Sequence, residues 1–292
     1  MKKFGRVTIW CAVMTAGLWA APPAASGFVE KSILVTVLDK DDAPIRDLAA
    51  AEFTVLEDGA RREVTEAAMA TDLLFVSVLI DTSKSPAGDV DRLRDTRTSL
   101  ATFVKTIHAV SPTTEIALTT VGGAGVLVKD FTNQTNELER IAGRLTPDLR
   151  ENAVVLEALI DAGRGLMKKP SPRRAIVTID FASMERSEVQ PTTVITEVLK
   201  SGAAVWSVSV HGAYGLTAPR RDTTLNFLTK NTGGVRATAL VPSALEQVLK
   251  NLAMSLTSQY VVTYTRPDGP TPKAIVPSAT RGSKFLMSPV IQ

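Results

Sequence analysis

The sequence has few of the residues that redox sites and soft metal sites use. Its 292 residues include two histidines and a single cysteine, Cys11. Cys11 lies in an N-terminal segment that is predicted to be removed on export, so the exported chain would have no disulfide, no thiol nucleophile and no thiolate metal ligand. Because Cys11 lies inside the apolar run of this segment and not after it, a lipoprotein anchor is not expected.

The N-terminal segment has the three parts of a secretory signal peptide. Lys2, Lys3 and Arg6 supply positive charge, an uncharged apolar run follows, and small residues at 24–26 offer a cleavage site. The sequence therefore predicts a signal peptide over residues 1–26 and a secreted or periplasmic protein. The apolar run is short for a membrane span, and retention of the segment as an anchor is the alternative interpretation.

The chain also lacks an excess of charge of either sign. Residues 1–26 carry three of the 33 lysines and arginines and none of the 30 acidic residues, which leaves 30 basic and 30 acidic residues after export. A surface for nucleic acid or for an anionic membrane needs a basic excess. We therefore expect no nucleic-acid partner and no strong membrane association after signal cleavage.

Most of the chain alternates between short apolar runs and segments of helical periodicity. Between residues 71 and 257 this alternation is typical of a parallel sheet with right-handed crossovers. We predict an α/β domain there, a three-layer, doubly wound, mostly parallel sheet of Rossmann-like type. The glycine-rich turn at 122–125 predicts one antiparallel edge hairpin, and a late helix is predicted over Thr223–Thr229.

The two segments that flank this domain are predicted to be rich in β-structure. Residues 27–70 contain three short strands, with Asp58-Gly59 at a hairpin turn, and residues 258–292 contain further strand candidates spaced by prolines. Three short strands are too few for a stable domain alone. We therefore expect the two segments to pack together as a small accessory module, with the α/β domain inserted between them.

The best candidates for a ligand-binding site are the polar residues that follow the strand at 73–80. This strand is apolar on both faces, as in a parallel sheet, and leads into Asp81, Ser83 and Ser85. Asp180 ends a later buried strand, so its carboxylate is expected at the same sheet edge. Oxygen ligands of this kind suit a hard divalent cation. The simpler interpretation is a capping turn, in which the same side chains accept hydrogen bonds from the next helix.

This pattern resembles the metal-ion-dependent adhesion site of von Willebrand factor type A domains. The segments from Val35 to Gly59 and from Gln259 to Tyr264 are also similar to the β segments beside that domain in secreted bacterial proteins of the family. The resemblance implies a Rossmann-like fold and a role in binding another protein. It also implies Mg²⁺ as the cofactor, with Mn²⁺ or Ca²⁺ as alternatives, and an acidic side chain of the partner at the open coordination position.

The match to the adhesion site is incomplete. Lys84 stands where the family has glycine, Phe181 follows the last aspartate where glycine is common, and Asn152 or Ala153 replaces an expected threonine. The ligands that the resemblance implies are Asp81, Ser83, Ser85, Asp180 and Asn152. The alternative is a binding module without a metal, in which the Lys84 ammonium pairs with the carboxylates and replaces the cation.

The other motifs offer no convincing catalytic centre. The turn at 122–125 lacks the lysine and helix of a phosphate-binding loop, and no Gly-x-Ser-x-Gly motif occurs. We therefore predict a protein-binding module that is not an enzyme. The alternative of another class is a hydrolase that uses Asp81 or Asp180 with His211, which is expected at the same sheet edge. Glu185 is expected to face solvent.

Overall fold

The computed structural model describes most of the chain after the predicted signal peptide, namely residues 27–84, 89–148, 151–181, 183–210 and 218–289. The predicted signal peptide, Ser85 and His211 lie outside these ranges. Within the described ranges, no helix combines the length and the apolar character that crossing a membrane requires.

The described residues form two sheets of six strands each. The first sheet takes its strands from both ends of the chain, and these are β1 (Phe28–Leu38), β2 (Phe53–Glu57), β3 (Ala60–Met69), β10 (Gln259–Pro267), β11 (Ile275–Ala279) and β12 (Lys284–Met287). The second sheet consists of β4 (Phe75–Asp81), β5 (Glu115–Val121), β6 (Gly125–Thr132), β7 (Arg174–Phe181), β8 (Ala204–Val210) and β9 (Arg236–Ala239). The helices between these strands are α1 (Asp89–Val110), α2 (Thr135–Ala142), α3 (Val155–Met167), α4 (Pro191–Lys200), α5 (Pro219–Asn231) and α6 (Leu245–Thr257).

The first sheet, here called the β module, is antiparallel throughout and has the strand order β11-β2-β3-β10-β1-β12. The edge strands β11 and β12 contact each other, so the sheet nearly closes on itself. The predicted hairpin at Asp58-Gly59 is confirmed, because φ is +48° and +83° at these residues, as a type I′ turn requires. Alternate residues such as Val35, Val37 and Tyr260 fill the interior.

The second sheet and its helices, here called the α/β module, have the strand order β6-β5-β4-β7-β8-β9. Only β6 is antiparallel to its neighbour, which confirms the predicted edge hairpin at 122–125. Helices α1, α2 and α6 pack on one face of this sheet, and α3, α4 and α5 pack on the other. A mixed α/β fold is therefore confirmed, although the accompanying β structure is a six-stranded, nearly closed sheet and not a minor appendage.

Two chain segments connect the modules, one at residues 70–72 and the other at 258–259. They run side by side, and the buried Arg173 donates hydrogen bonds to both. The Ala70 amide donates to the Gln259 carbonyl at 2.8 Å. Arg173 donates through Nη1 to the carbonyls of Ala70 (3.1 Å) and Asp72 (2.6 Å), and through Nε to Gln259 Oε1 (3.2 Å). Burial lowers the pKa of Arg173 to about 10, and the guanidinium stays charged at neutral pH.

The parallel strands of the α/β module all end at one edge of the sheet, here called the carboxyl edge. β4 ends at Asp81, β7 ends at Phe181 and β8 ends at Val210. The described residues that follow β4 and β7, together with residues 151–154 before α3, lie at this edge. Ligands of open α/β sheets bind at such an edge, so functional residues are expected there.

Candidate functional site

Two buried aspartates lie on adjacent parallel strands at the carboxyl edge. Asp81 ends β4, Asp180 is near the end of β7, and the residues that precede them, Ile80 and Ile179, lie side by side in register. Each aspartate is 3% exposed. A buried carboxylate is costly unless it is paired or hydrogen-bonded, so the groups around these two residues determine what the site can do.

Both carboxylate oxygens of Asp81 accept hydrogen bonds. Oδ1 accepts from the Ser83 amide at 2.9 Å and from Ser83 Oγ at 2.6 Å. Oδ2 accepts from Ser183 Oγ at 2.6 Å and from the Phe181 amide at 3.2 Å. Asp81 therefore ties the loop after β4 to the loop after β7, and it does so with side chains and amides of the chain itself.

Asp180 is bound by two hydroxyl groups of the neighbouring strand β8. Ser207 Oγ donates to Oδ1 at 3.1 Å and Ser209 Oγ donates to Oδ2 at 2.9 Å. Burial raises the pKa of Asp180 above its usual range, and this effect exceeds the opposite effect of two nearby arginines, Arg221 and Arg236. Asp180 is thus less readily ionised than an exposed aspartate.

A buried arginine reaches this site from α5. That helix begins at Pro219, four residues before the predicted start at Thr223, because proline is favoured in the first helical turn. Arg221 is therefore helical and lies on the buried face with Leu225 and Leu228, four and seven residues further on. Arg221 is 2% exposed, and sequence reasoning did not identify it.

The Arg221 guanidinium lies among three carboxylates. Nη1 is 4.0 Å from Asp81 Oδ2 and 3.7 Å from Glu185 Oε2, and Nε is 3.9 Å from Asp180 Oδ2. Nη2 donates to the Phe181 and Ser183 carbonyls at 2.9 and 3.1 Å, and Nη1 donates to Ser183 Oγ at 3.0 Å. The Arg221 charge is thus held by three hydrogen bonds in the middle of the three carboxylates. A second guanidinium, that of Arg236, lies 3.9 Å from Asp180 Oδ2 only.

Glu185 is the third carboxylate, and the expectation that it faces solvent is wrong. Its side chain is 4% exposed. It accepts hydrogen bonds from the Ser187 hydroxyl and, at 3.5 Å, from the Leu156 amide in the first turn of α3. The amides of a helix N-terminus favour a negative charge, which explains why this loop turns inward. Burial nevertheless raises the pKa of Glu185.

A second buried arginine closes the site from the side of α1. Arg92 Nη2 donates to the Ser83 carbonyl at 2.7 Å, and its guanidinium lies 4.7 Å from the centre of the Phe181 ring. Phe181 stands at the position where the resembling family has glycine. The ring and the arginine cover the loop at Ser83, a contact that glycine would not provide.

The predicted metal ligands are brought together only in part. Asp81, Ser83 and Asp180 meet at the carboxyl edge, Asn152 is partly exposed in the adjoining loop, and Ser85 lies outside the described residues. Among the residues that the structure describes, no group of three or more His, Cys, Asp or Glu side chains could hold a metal ion. The ligand set therefore stays a prediction.

The lysine expected to replace the cation does not do so. Lys84 is exposed, and in the described structure its side chain forms no ion pair with Asp81 or Asp180. Its amide donates to the Glu151 carbonyl at 3.0 Å, so its fixed contact is made by the backbone. The cationic group that lies among the carboxylates belongs to Arg221.

The residues of the site do not fit a bound divalent ion. An ion at coordination distance from Asp81 and Asp180 would lie beside the Arg221 guanidinium, which approaches the same carboxylates within 4.0 Å. The arrangement can instead satisfy its carboxylates with a positive charge of the chain.

An open groove of about 900 Å³ lies beside the site at the same edge. Its lining includes Thr82, Gly122, Gly123, Asp148, Glu151 and Arg186. Neither Asp81 nor Asp180 lines this groove. A hydrolase needs its acid and base in contact with a substrate pocket, and His211 lies outside the described residues. The geometry therefore gives the hydrolase alternative no support.

Comparison with solved structures connects this fold to known proteins. A von Willebrand factor type A protein from Catenulispora acidiphila aligns with a TM-score of 0.51 over 89% of this chain and 71% of its own, at 11% identity. Proximal thread matrix protein 1 from the mussel byssus, solved with zinc in its metal-ion-dependent adhesion site, aligns with a TM-score of 0.53 over 69% of this chain and 49% of its own, at 12% identity.

A third solved structure is similar to the same extent. The PilB minor pilin from Streptococcus sanguinis aligns with a TM-score of 0.50 over 65% of this chain and 62% of its own, at 12% identity. No protein-family model and no curated protein sequence matches the chain. At these identities the likeness concerns the fold. The resemblance inferred from the sequence is confirmed at that level, because the α/β module has the von Willebrand factor type A fold.

Proposed function

We propose that this chain, which contains a module of the von Willebrand factor type A fold, is an exported protein-binding module. Its partner-binding surface is the carboxyl edge of the α/β module. The proposal does not require catalysis, and it does not require a metal, since the buried carboxylates have partners within the chain. The partner is a folded protein that presents an acidic side chain to the exposed cations of this edge.

Backbone hydrogen bonds join the described parts of three loops at the carboxyl edge, and this connection carries the proposal. The Lys84 amide donates to the Glu151 carbonyl at 3.0 Å, and the Ala153 amide donates to the Met184 carbonyl at 3.1 Å. The Arg186 amide donates to the Ala153 carbonyl at 2.7 Å. Beneath these loops lie Asp81 and its partners. A surface held in this way changes little on binding, which lowers the entropy cost of association.

The exposed side chains of this surface suit a protein partner. Met184 is 53% exposed, and Lys84 and Arg186 are exposed beside it. Arg186 pairs with the Glu151 carboxylate. Methionine and arginine are enriched in protein interfaces, and an adaptable apolar side chain between cations suits an acidic partner residue with an apolar neighbour.

The test is site-specific photo-crosslinking in the organism that produces the protein. A benzophenone amino acid replaces Met184 at the carboxyl edge or, as the matched control, Met167 at the end of α3. Met167 is 40% exposed, and it lies at the opposite edge because α3 runs back along the sheet to the start of β7. We expect a discrete cross-linked protein from position 184 and none from position 167.

The outcome that would contradict the proposal is equally specific. The same species from both positions would mean that the adduct does not report a surface at the carboxyl edge. A cross-linked species from position 167 alone would mean that the binding surface lies at the other edge of the sheet. Addition of EDTA should not reduce the adduct from position 184, since no metal takes part.

A further inference from the structure

We infer that Arg221 is a built-in counter-ion that takes the place of a divalent cation at the carboxyl edge, and that its removal would create a metal site there. This inference concerns the cation and not the partner, so it goes beyond the proposed function. It rests on the position, burial and contacts of one guanidinium group. Nothing in it depends on residues outside the described ranges.

The Arg221 charge lies where three carboxylates converge. The Arg221 guanidinium lies within 4.0 Å of carboxylate oxygens of Asp81, Asp180 and Glu185, two of which are predicted metal ligands. A cation attracts such carboxylates whatever its identity, and a second cation in the same space would be repelled by the first. The guanidinium and a divalent ion therefore cannot occupy this space together.

The Arg221 guanidinium is also fixed by groups other than the carboxylates. Three of its hydrogen bonds go to the loop after β7, to the carbonyl of Phe181 and to the carbonyl and hydroxyl of Ser183. The Ser183 hydroxyl in turn donates to Asp81 at 2.6 Å. Arginine presents its donors in a rigid planar fork, so these contacts define one position for the charge.

The helix that carries Arg221 directs its side chain toward the site. The residue lies on the buried face of α5 with Leu225 and Leu228, so its side chain extends along the core toward the site. Arg220, the preceding residue, is exposed and its guanidinium donates instead to the carbonyls of Ser187 and Val189 at 2.9 and 2.6 Å. Two adjacent arginines thus have different roles, and Arg220 provides a matched control.

The test combines metal titration with thermal unfolding of the purified full chain. The variants are Arg221→Ala, Arg221→Lys, the control Arg220→Ala, and the double variant Asp81→Asn with Arg221→Ala. Free Mn²⁺ is measured by electron paramagnetic resonance, and the unfolding midpoint is measured with and without Mg²⁺ at constant ionic strength. The wild type and Arg220→Ala should bind no stoichiometric Mn²⁺ and show no midpoint shift with Mg²⁺.

Arg221→Ala should bind one equivalent of Mn²⁺, and Mg²⁺ should restore part of its lowered unfolding midpoint. Arg236, which lies 3.9 Å from Asp180 Oδ2, does not take the vacated position because its guanidinium is paired with Asp222 at 2.6 Å. The double variant should lose both effects, since it lacks one of the carboxylates. Arg221→Lys keeps one positive charge and should bind no Mn²⁺. Millimolar methylguanidinium should also raise the midpoint of Arg221→Ala, because it can refill the vacated position, and it should not affect Arg220→Ala.

Two results would overturn the inference. One is stoichiometric Mn²⁺ binding by the wild type that is lost in Asp81→Asn, which would mean that metal and arginine coexist. The other is a folded Arg221→Ala protein that binds no Mn²⁺. Should Arg221→Ala fail to fold, Arg221→Lys and the wild type decide, because stoichiometric Mn²⁺ in either contradicts the inference. Loss of the cross-link at position 184 would refute the proposed function and leave this result unaffected.

Discussion

The two modules each bury a cluster of charge, and the clusters have opposite compositions. In the α/β module one guanidinium, that of Arg221, lies among three carboxylates. In the β module one carboxylate, that of Glu57, lies between Arg62 at 2.9 Å and Arg266 at 3.2 Å. Glu57 is 1% exposed, so both clusters face the same desolvation cost.

The clusters differ in how completely their carboxylates are bound. Both oxygens of Glu57 accept hydrogen bonds, from Tyr264 Oη at 2.8 Å and from Arg62 Nε at 2.9 Å, and all partners lie on strands of one sheet. In the α/β module, Glu185 Oε2 has no hydrogen-bond partner among the described residues. One arginine Nε is without such a partner in each cluster, that of Arg221 in the α/β module and that of Arg266 in the β module. Burial of charge alone therefore does not mark a site, and the carboxylate oxygen left without a hydrogen bond at the carboxyl edge is the more informative sign.

The largest effect on stability is expected from removing the carboxylate at the centre of the Glu57 cluster in the β module. Glu57→Ala leaves two arginines and the Tyr264 hydroxyl without their common acceptor, and removal of one partner of a buried pair costs about 3–5 kcal/mol. The free energy of unfolding, from urea denaturation, should fall by that amount. The control Glu63→Ala removes an exposed carboxylate of β3 and should change stability by less than about 0.5 kcal/mol. An equal loss in both variants would contradict the assignment.

A smaller, pH-dependent effect on stability is expected from Asp180 in the cluster around Arg221. Burial raises the pKa of Asp180 above its unfolded value of 3.8, so the folded state holds this proton more tightly. The resulting stabilisation is present below about pH 4 and is lost as the pH rises through the raised pKa, with a slope of at most about 1.4 kcal/mol per pH unit. Asp180→Asn should remove this slope.

The measurement is the difference in urea-unfolding free energy between wild type and Asp180→Asn across pH 4 to 7. The difference isolates Asp180 from acids whose pKa moves the other way, such as Glu52, whose hydrogen bond from Arg281 lowers its pKa to about 2. Asp161→Asn is the control, because that side chain is exposed. A wild-type stability that rises relative to Asp180→Asn over this range would refute the assignment.

The smallest effect is expected at Lys84. Its side chain is exposed, so Lys84→Ala should change the free energy of unfolding by less than about 0.5 kcal/mol. It should also leave Mn²⁺ binding unchanged, in contrast to Arg221→Ala. The measurement is the Mn²⁺ titration followed by electron paramagnetic resonance. A gain of stoichiometric Mn²⁺ binding in Lys84→Ala would mean that the counter-ion is Lys84 and not Arg221.

The position of the site could be predicted from sequence, because strand ends are visible in the pattern. The apolar runs that precede Asp81 and Asp180 identify buried parallel strands, and the carboxyl ends of such strands meet at one edge. The von Willebrand factor type A fold was inferred from the resemblance of the Asp81 and Asp180 segments to the adhesion site of that family. The pairing register of β10 between β1 and β3 was not, because short alternating strands specify a face and not a partner.

The counter-ion was missed because one helix start was placed too late. With α5 extended back to Pro219, Arg221 falls four residues before Leu225 on the apolar face, which is a detectable sign of a buried cation. Ser207 and Ser209 alternate with Trp206 and Val208 along β8 and could have been assigned to the face of Asp180. The distances between these groups depend on packing between distant elements, and no local pattern contains them.

The pairing of strands from the two ends of the chain in one sheet determines how the protein responds to mechanical load. β12 pairs directly with β1, from Val35 beside Met287 to Leu38 beside Lys284. Tension applied between residues 28 and 288 is therefore carried across these hydrogen bonds and bypasses residues 71–257. A pulled molecule would yield first at the β1–β12 pair, while the carboxyl edge keeps its shape under force.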